Sequence, residues 1–204
     1  MSDVALHLPP RPRVGIFGGT FDPPHVGHLV TAVNVRHALA LDVVLLVVAN
    51  EPWQKEGSRL ISPAEDRYAL TVAAVGEVEG VEASRIELDR EGPSYTADTL
   101  RHLKSSLPDA QFFMILGRDA AAGLFTWERY EEVVAGSRLV VVDRPGASAP
   151  LPTGLGWLRV EVPHLEVSST DLRARVLDGR PLDYLLTASV MDEVHSRGLY
   201  RARP

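Results

Sequence analysis

A chain of 204 residues, 45% hydrophobic and 24% charged, holds enough apolar material for one α/β domain with a small C-terminal appendage. Its formal charge of −6 argues against a broad nucleic-acid-binding face, which would be basic, while leaving room for a local positive pocket. Without cysteine there is no disulfide, thiolate zinc site or cysteine nucleophile, and the longest apolar run, Val43 to Ala49, is too short to span a membrane.

In chain order, the opening MSDVALHLPPRP lacks the basic segment, apolar stretch and cleavage site of a signal peptide. It is expected to be a flexible tail, residues 1–12, on a cytoplasmic protein whose residues 13–204 form one domain. RVGIFGG (13–19) reads as a first buried strand and HVGHLVTAVNVRHALAL (25–41) as a helix. DVVLLVVAN (42–50) is a second strand, continuously apolar as a strand covered on both faces should be. Beyond a polar loop, Pro63 sits where a first helical turn tolerates it and opens PAEDRYALTVAAV. VEASRIELDR (81–90) reads as a third strand in spite of Ser84 and Glu87, YTADTLRHLKSSL (95–107) as a helix and QFFMILG (111–117) as a fourth strand. WERYEEVVAG (127–136) reads as a helix and RLVVVDR (138–144) as a fifth strand, before a Pro-, Gly- and Ala-rich stretch (145–156) that reads as a mobile loop. A short strand, WLRVEVP, and two helices, STDLRARVLDG and TASVMDEVHSRG, complete the chain. This alternation predicts an α/β fold: a Rossmann-like, doubly wound parallel sheet with right-handed crossovers and a small helical portion at about 165–200.

The stretch GIFGGTFDPPHVGHLV (15–30) spends four glycines and two histidines on one strand-to-helix turn. In open parallel sheets ligands sit beyond the carboxyl ends of the strands, where strand order reverses, and the first such turn is a common place. Gly18 and Gly19 remove side chains so that backbone can approach a ligand, and the helix N-terminus adds a dipole and N–H groups that favour an anion. His25 and His28, three apart, can point the same way. The construction suits a phosphate chain. It does not suit zinc, whose sites need a third or fourth ligand and whose helical histidine pairs mostly sit four apart. Asp22 reads as loop-structuring before metal-binding.

GGTFDPPHVGH (18–28) resembles the signature of the nucleotidylyltransferases with a T/H-x-G-H motif, and within them the chain resembles the bacterial nicotinate-mononucleotide adenylyltransferases. The resemblance runs from about Arg13 to Tyr200 and takes in, in order, GPSYTADTL (92–100), the Gly-x-Asp of GRD (117–119), Trp127, DRPG (143–146) and VSSTDLR (167–173). It implies transfer of the adenylyl group of ATP to nicotinate mononucleotide, giving nicotinate adenine dinucleotide and pyrophosphate on the way to NAD. Those two nucleotides are the implied partners, without nucleic acid or membrane, and Mg²⁺ is the implied cofactor, carried on the substrate phosphates rather than in a protein cage. Catalytic roles are implied for His25, His28 and Arg173, and ATP contacts for Gly18, Gly19, Thr20, Phe21, Gly117, Asp119, Ser169 and Thr170. Mononucleotide contacts are implied for Lys55, Tyr95, Thr96, Trp127 and Arg144.

The residue chemistry agrees with these roles. SSTDLR puts hydroxyls at a helix start, with Ser168 or Ser169 as N-cap, and Arg173 one turn in, a set that can grip a phosphate tail. Asp119 follows the fourth strand at the ligand edge, where a carboxylate suits ribose hydroxyls. Trp127 offers an electron-rich face to a cationic pyridine ring. Ser94 or Thr96 can cap the following helix, whose N-terminus favours the nicotinate carboxylate if Asp98 points away. Three positions depart from the family pattern. Arg118 stands where a small residue is expected, with solvent favoured over the nucleotide as its destination, and Trp53 and Gln54 precede Lys55 in place of Pro-His.

Rival readings fit less well. A pantetheine-phosphate type lacks the GPSYT…GRD…W series, and a class I aminoacyl-tRNA synthetase needs appended domains for which 204 residues leave no room. A nucleotide-binding regulatory module would usually have lost a histidine or the Ser-Thr-x-x-Arg segment, and both are intact.

Overall fold

Six aliphatic runs pair into one parallel sheet. They are β1 (Arg13–Gly19), β2 (Val43–Val48), β3 (Val81–Ser84), β4 (Gln111–Gly117), β5 (Arg138–Asp143) and β6 (Leu158–Glu161), in spatial order β3-β2-β1-β4-β5-β6. The computed structural model describes residues 8–52, 61–90, 92–143 and 149–201. Between them the strands carry α1 (Val26–Ala38), α2 (Ala64–Val75), α3 (Ile86–Arg90), α4 (Thr96–Ser106), α5 (Arg118–Ala122) and α6 (Tyr130–Gly136), and α7 (Ser169–Asp178) and α8 (Ala188–Ser196) follow the last strand.

The sheet is covered on both faces, and β2 shows why its sequence has no polar alternation. Val44, Leu46 and Val48 belong to one core with Ala32 and Val35 of α1, Leu70 of α2, Leu172 of α7 and Val190 of α8, while Val43, Leu45 and Val47 belong to a second core with Leu100 of α4 and Val133 of α6. This is the doubly wound, Rossmann-like α/β fold expected, and the chain order of the strands reverses between β1 and β4. Among the described residues no helix is long and apolar enough to cross a membrane.

Four local expectations are corrected. The third strand stops at Ser84, because the edge pairing with β2 ends there and Ile86–Arg90 winds into α3, braced by an Arg85–Asp89 ion pair one turn apart at 2.8 Å. The helix expected from Trp127 starts at Tyr130: Trp127 is extended and Arg129 takes a left-handed φ of 52°, after a 3₁₀ turn at Leu124–Thr126 and the short α5, which was not foreseen. Residues 149–156 are packed rather than mobile, since Leu151, Leu155 and Trp157 lie on the α4–α6 layer and the Trp157 indole donates to the Pro152 carbonyl at 3.0 Å. The expected tail is anchored at its end, with Leu8 on that same layer and the Pro12 carbonyl accepting from Gln111 N–H at 2.8 Å.

The charge at the centre of the fold is Arg67. On α2 it shares the buried stripe of Leu70, Thr71 and Ala74, and it is 1% exposed. Its guanidinium donates to the carbonyls of Ser62 (2.9 Å), Thr20 (3.0 Å), Ala49 (2.6 Å) and Asn50 (2.9 Å). Burial pulls its pKa below the ordinary arginine value, and the charge of Asp22 is the strongest influence opposing that. Removing a buried cation that satisfies several carbonyls leaves them without donors, so Arg67→Met is expected to cost about 3–5 kcal/mol in urea denaturation. Arg85→Ala, which breaks exposed ion pairs with Glu65 and Asp89 and a cation–π contact with Tyr68, is expected to cost less than about 1 kcal/mol in the same measurement.

Candidate functional site

At the carboxyl ends of β1, β2 and β4, where the strand order reverses, a cavity of about 250 Å³ opens. Phe17, Gly18, Gly19 and Thr20 line it from β1, Val47 and Ala49 from β2, and Leu116, Gly117 and Ala120 from β4 and α5. Glu87, Ser94, Thr96, Thr99 and Trp127 close its far side. Gly18 and Gly117 present open space where a Cβ would stand, so the backbone of both strand ends is accessible to a ligand. Gly19 has another reason: a Cβ there would lie 2.7 Å from the ring of Phe21.

Phe21 takes a left-handed φ of 49° and is buried, which turns its ring beneath Gly19 and edge-on to His28 at 5.0 Å between centroids. His25 and His28 stack at 3.8 Å with 27° between their planes. The glycine between them leaves room for this, because a Cβ on Gly27 would sit 3.0 Å from Val167 and 3.1 Å from the His25 ring. His28 Nδ1 accepts the His25 backbone N–H at 3.1 Å, which assigns the ring hydrogen to Nε2 and makes that nitrogen the donor. The N–H groups of the turn are less available than its sequence suggested. Val26 N–H already donates to the Leu185 carbonyl at 3.1 Å, so imidazoles rather than helix amides are what the turn has to offer.

The C-terminal segment docks onto this turn. Ser168 is the N-cap of α7, accepting from Asp171 N–H at 3.2 Å, while Ser169 Oγ donates to the Pro23 carbonyl at 2.8 Å. Arg173, one turn in, donates to the Asp22 carbonyl at 2.6 Å and to Thr170 Oγ1 at 3.2 Å. These contacts join Ser169, Thr170 and Arg173 to the histidine turn from a distance of about 150 residues in sequence. The Asp22 carboxylate accepts from the Tyr200 hydroxyl at 2.8 Å and from Ser62 N–H at 3.4 Å. It structures the loop, as read from the sequence. Burial first, then the charge and hydrogen bond of Asp22, push the Tyr200 phenol above its usual range.

On the far side, Asn50 ties the GPSYT segment to the end of β2: its backbone N–H donates to Ser94 Oγ at 2.8 Å and its amide to the Gly92 carbonyl at 3.1 Å. Ser94 Oγ is thereby tied to the end of β2, and neither it nor Thr96 caps α4. Tyr95 is the N-cap residue, with no side-chain hydrogen bond to the first turn. Asp98 turns away from the cavity, paired to Arg101 at 2.8 Å and to Arg129 at 2.6 Å, and Arg129 lies 5.8 Å over the Tyr95 ring. An uncapped helix start thus faces the cavity beside Trp127.

The cytidylyltransferase-like family model matches residues 16–175. A Streptomyces coelicolor protein named "Probable nicotinate-nucleotide adenylyltransferase" is 48% identical over 187 residues, covering 90% of this chain and 98% of its own. One of the same name from Acidothermus cellulolyticus is 44% identical over 199 residues, covering 94% and 95%. The chain belongs to the nicotinate-nucleotide adenylyltransferase family. In fold it is similar to Plasmodium falciparum nicotinic acid mononucleotide adenylyltransferase complexed with NaAD, with a TM-score of 0.75 at 16% identity over 93% of this chain and 98% of that one.

Within this family's fold the expected site residues fall into two groups. Gly18, Gly19, Thr20, Gly117, Thr96 and Trp127 line the cavity, whereas His25, His28, Ser169, Thr170 and Arg173 gather on the adjoining turn. Phe21 supports that turn from below with its ring, and Tyr95 and the exposed Asp119 stand beside the cavity rather than in it. Lys55 and Arg144 lie outside the described residues. Arg118 is held back from solvent. It pairs with Asp143 at the end of β5 and donates to the Ala149 carbonyl at 2.9 Å, because a half-buried carboxylate next to it on the neighbouring strand end is the nearer countercharge.

Sequence reasoning missed Arg67, Asn50, Tyr200 and Glu87. The first had a usable signal, a cation on the apolar stripe of a helix. The contrast between the two glycines is testable. Gly19→Ala is expected to displace Phe21 and destabilise by about 1–3 kcal/mol. Gly18→Ala should hold stability within about 0.5 kcal/mol yet raise the KM for ATP about tenfold by filling the approach to the strand end. Thermal denaturation and steady-state kinetics of the two variants check both outcomes.

Proposed function

We infer that this chain transfers the adenylyl group of ATP to nicotinate mononucleotide, releasing pyrophosphate and forming nicotinate adenine dinucleotide for NAD biosynthesis. The observation that carries this reading is the juxtaposition of the stacked His25–His28 pair and Arg173 with a cavity that ends at an uncapped helix start and Trp127. One end offers donors to phosphate, the other a pocket for a ring bearing a carboxylate. Family membership across nearly the whole chain supports it.

The reaction is an in-line displacement. A phosphate oxygen of the mononucleotide forms a bond to the α-phosphorus of ATP, and the bond to the bridging oxygen breaks, its electron pair leaving with pyrophosphate. The attacking phosphate is already ionised at neutral pH, so positioning and charge stabilisation suffice without a general base. In this reading His28 Nε2–H donates near the α-phosphate, His25 beside it, and Arg173 with the start of α7 holds the β- and γ-phosphates. Gly18, Gly19 and Gly117 let backbone approach ATP, and Asp119 faces its ribose. Tyr95, Thr96 and Trp127 take the nicotinate ring, with Lys55 and Arg144 proposed for the mononucleotide phosphate. Mg²⁺ would enter with ATP and supply charge neutralisation on its phosphates, and Asp22, whose carboxylate accepts from Tyr200 and Ser62, is assigned to the loop rather than to the metal.

Pyrophosphate release that depends on both ATP and nicotinate mononucleotide tests the reading directly, and no release would overturn it. His28→Ala is expected to lower turnover about 10²–10³-fold. Because its ring also accepts the N-cap amide, the same change should cost about 1 kcal/mol of stability. A variant of near-native turnover would remove this ring from the chemistry.

Side-by-side turnover should favour nicotinate over nicotinamide mononucleotide by at least about tenfold, roughly 1.4 kcal/mol, from one anion at a helix start plus one charge-assisted hydrogen bond. Asp98, paired outward with two arginines, does not compete for that helix end. Equal turnover of the two would leave adenylyl transfer standing and the ring pocket misassigned.

A further inference from the structure

The substrates are polyanions, yet among the described residues that line the cavity the one charged side chain is a carboxylate, Glu87. It is 7% exposed. The Thr99 hydroxyl donates to Glu87 Oε1 at 2.6 Å, and Arg90 reaches only the far side of that hydroxyl, 3.2 Å from Thr99 Oγ1. Among the described residues no ion pair reaches the Glu87 carboxylate, and the buried cation Arg67 is drawn to Asp22 more strongly than to Glu87. A carboxylate held on a cavity wall by a hydroxyl rather than by a direct ion pair is placed to attract a positive group that enters beside it.

The two substrates offer one positive group between them. ATP carries only negative charge, and so do the phosphate and carboxylate of the mononucleotide. Its pyridine ring, quaternised by the bond to ribose, is cationic. We propose that Glu87 is a specificity-determining residue that recognises the pyridinium charge of the mononucleotide from the cavity wall, opposite or beside the Trp127 face. The proposal rests on the adenylyl-transfer reading and deepens it. Trp127 alone would accept a neutral aromatic ring of the same shape, and Glu87 adds discrimination for the charged one. The Thr99 hydroxyl bond fixes the carboxylate in place, so no side-chain entropy is lost when the ring arrives.

Glu87→Gln keeps the shape and the oxygen that accepts from Thr99 while removing the charge. The test measures KM for ATP and for nicotinate mononucleotide, and the dissociation constant of the 1,4-dihydro form of the mononucleotide, whose ring is uncharged, for wild type and variant. The expected result is a rise of about tenfold in the KM for the cationic mononucleotide, with KM for ATP and binding of the dihydro form unchanged. Equal weakening of both ring forms would make Glu87 a scaffold for Thr99 and α4, and an unchanged or lowered KM would mean that the ring lies elsewhere; either overturns the proposal. Glu87→Asp retains the charge and is expected to keep most of the discrimination between ring forms, and its loss there would also count against the proposal. Wild-type turnover with pyrophosphate release is scored separately, so failure of the adenylyl-transfer reading is distinguishable from failure of this one.

Discussion

A buried guanidinium holds the ligand edge of this sheet together. Parallel strands end with carbonyls pointing into the loops that follow, and those carbonyls must find donors or water. Arg67 supplies the donors for the ends of both β1 and β2, through Thr20, Ala49 and Asn50, and for the entry to its own helix through Ser62. A lysine has neither the fork geometry nor enough donors in one plane to serve four carbonyls at once. Because Thr20 begins the histidine turn and Asn50 carries the GPSYT segment, the two halves of the site hang from the same cation.

Around that cation the polar groups of the interior form a closed set. Asp22 is the leading countercharge, and its own oxygens are held by Tyr200 from beyond α8 and by Ser62. Arg197 at the end of α8 bridges to Asp66 of α2 at 2.8 Å, so the C-terminal helix is fastened next to the residue that positions the site. The C-terminal portion is therefore packed against the candidate site. It brings α7, and with it Arg173, against the Asp22–Pro23 segment. The site divides by chemistry as well as by place: donors gather on the turn, while the cavity is walled by glycine backbone, an indole face and one carboxylate.

Much of this could be read from the chain. The periodicity of apolar runs placed five strands and most helices to within a few residues, because a strand buried on both faces, such as Val43–Val48, leaves little else for its sequence to be. The errors fell where local signals compete. Ile86–Arg90 had strand-like content but no strand left to pair with, and Trp127 and Arg129 sat in a helical pattern that their backbone conformations interrupt. Ser94 looked like a cap and became a tether instead, because Asn50 brought an amide to its hydroxyl from 44 residues away.

What the sequence by itself determined was the class of fold, the family and the residue types proposed for the phosphates, since glycines, histidines and helix starts carry their chemistry locally. What only the tertiary structure decided was who holds them. The partners of Arg67 are set only when four carbonyls from three segments converge on it, and Arg118 reads as solvent-bound until β5 sets Asp143 beside it. Glu87 counted only as a flaw in a strand until α3 turned it into the cavity. Each of these depends on groups distant in the chain meeting in a low-dielectric interior, where an unmatched charge is too costly to leave alone, and no local pattern reports who the partner will be.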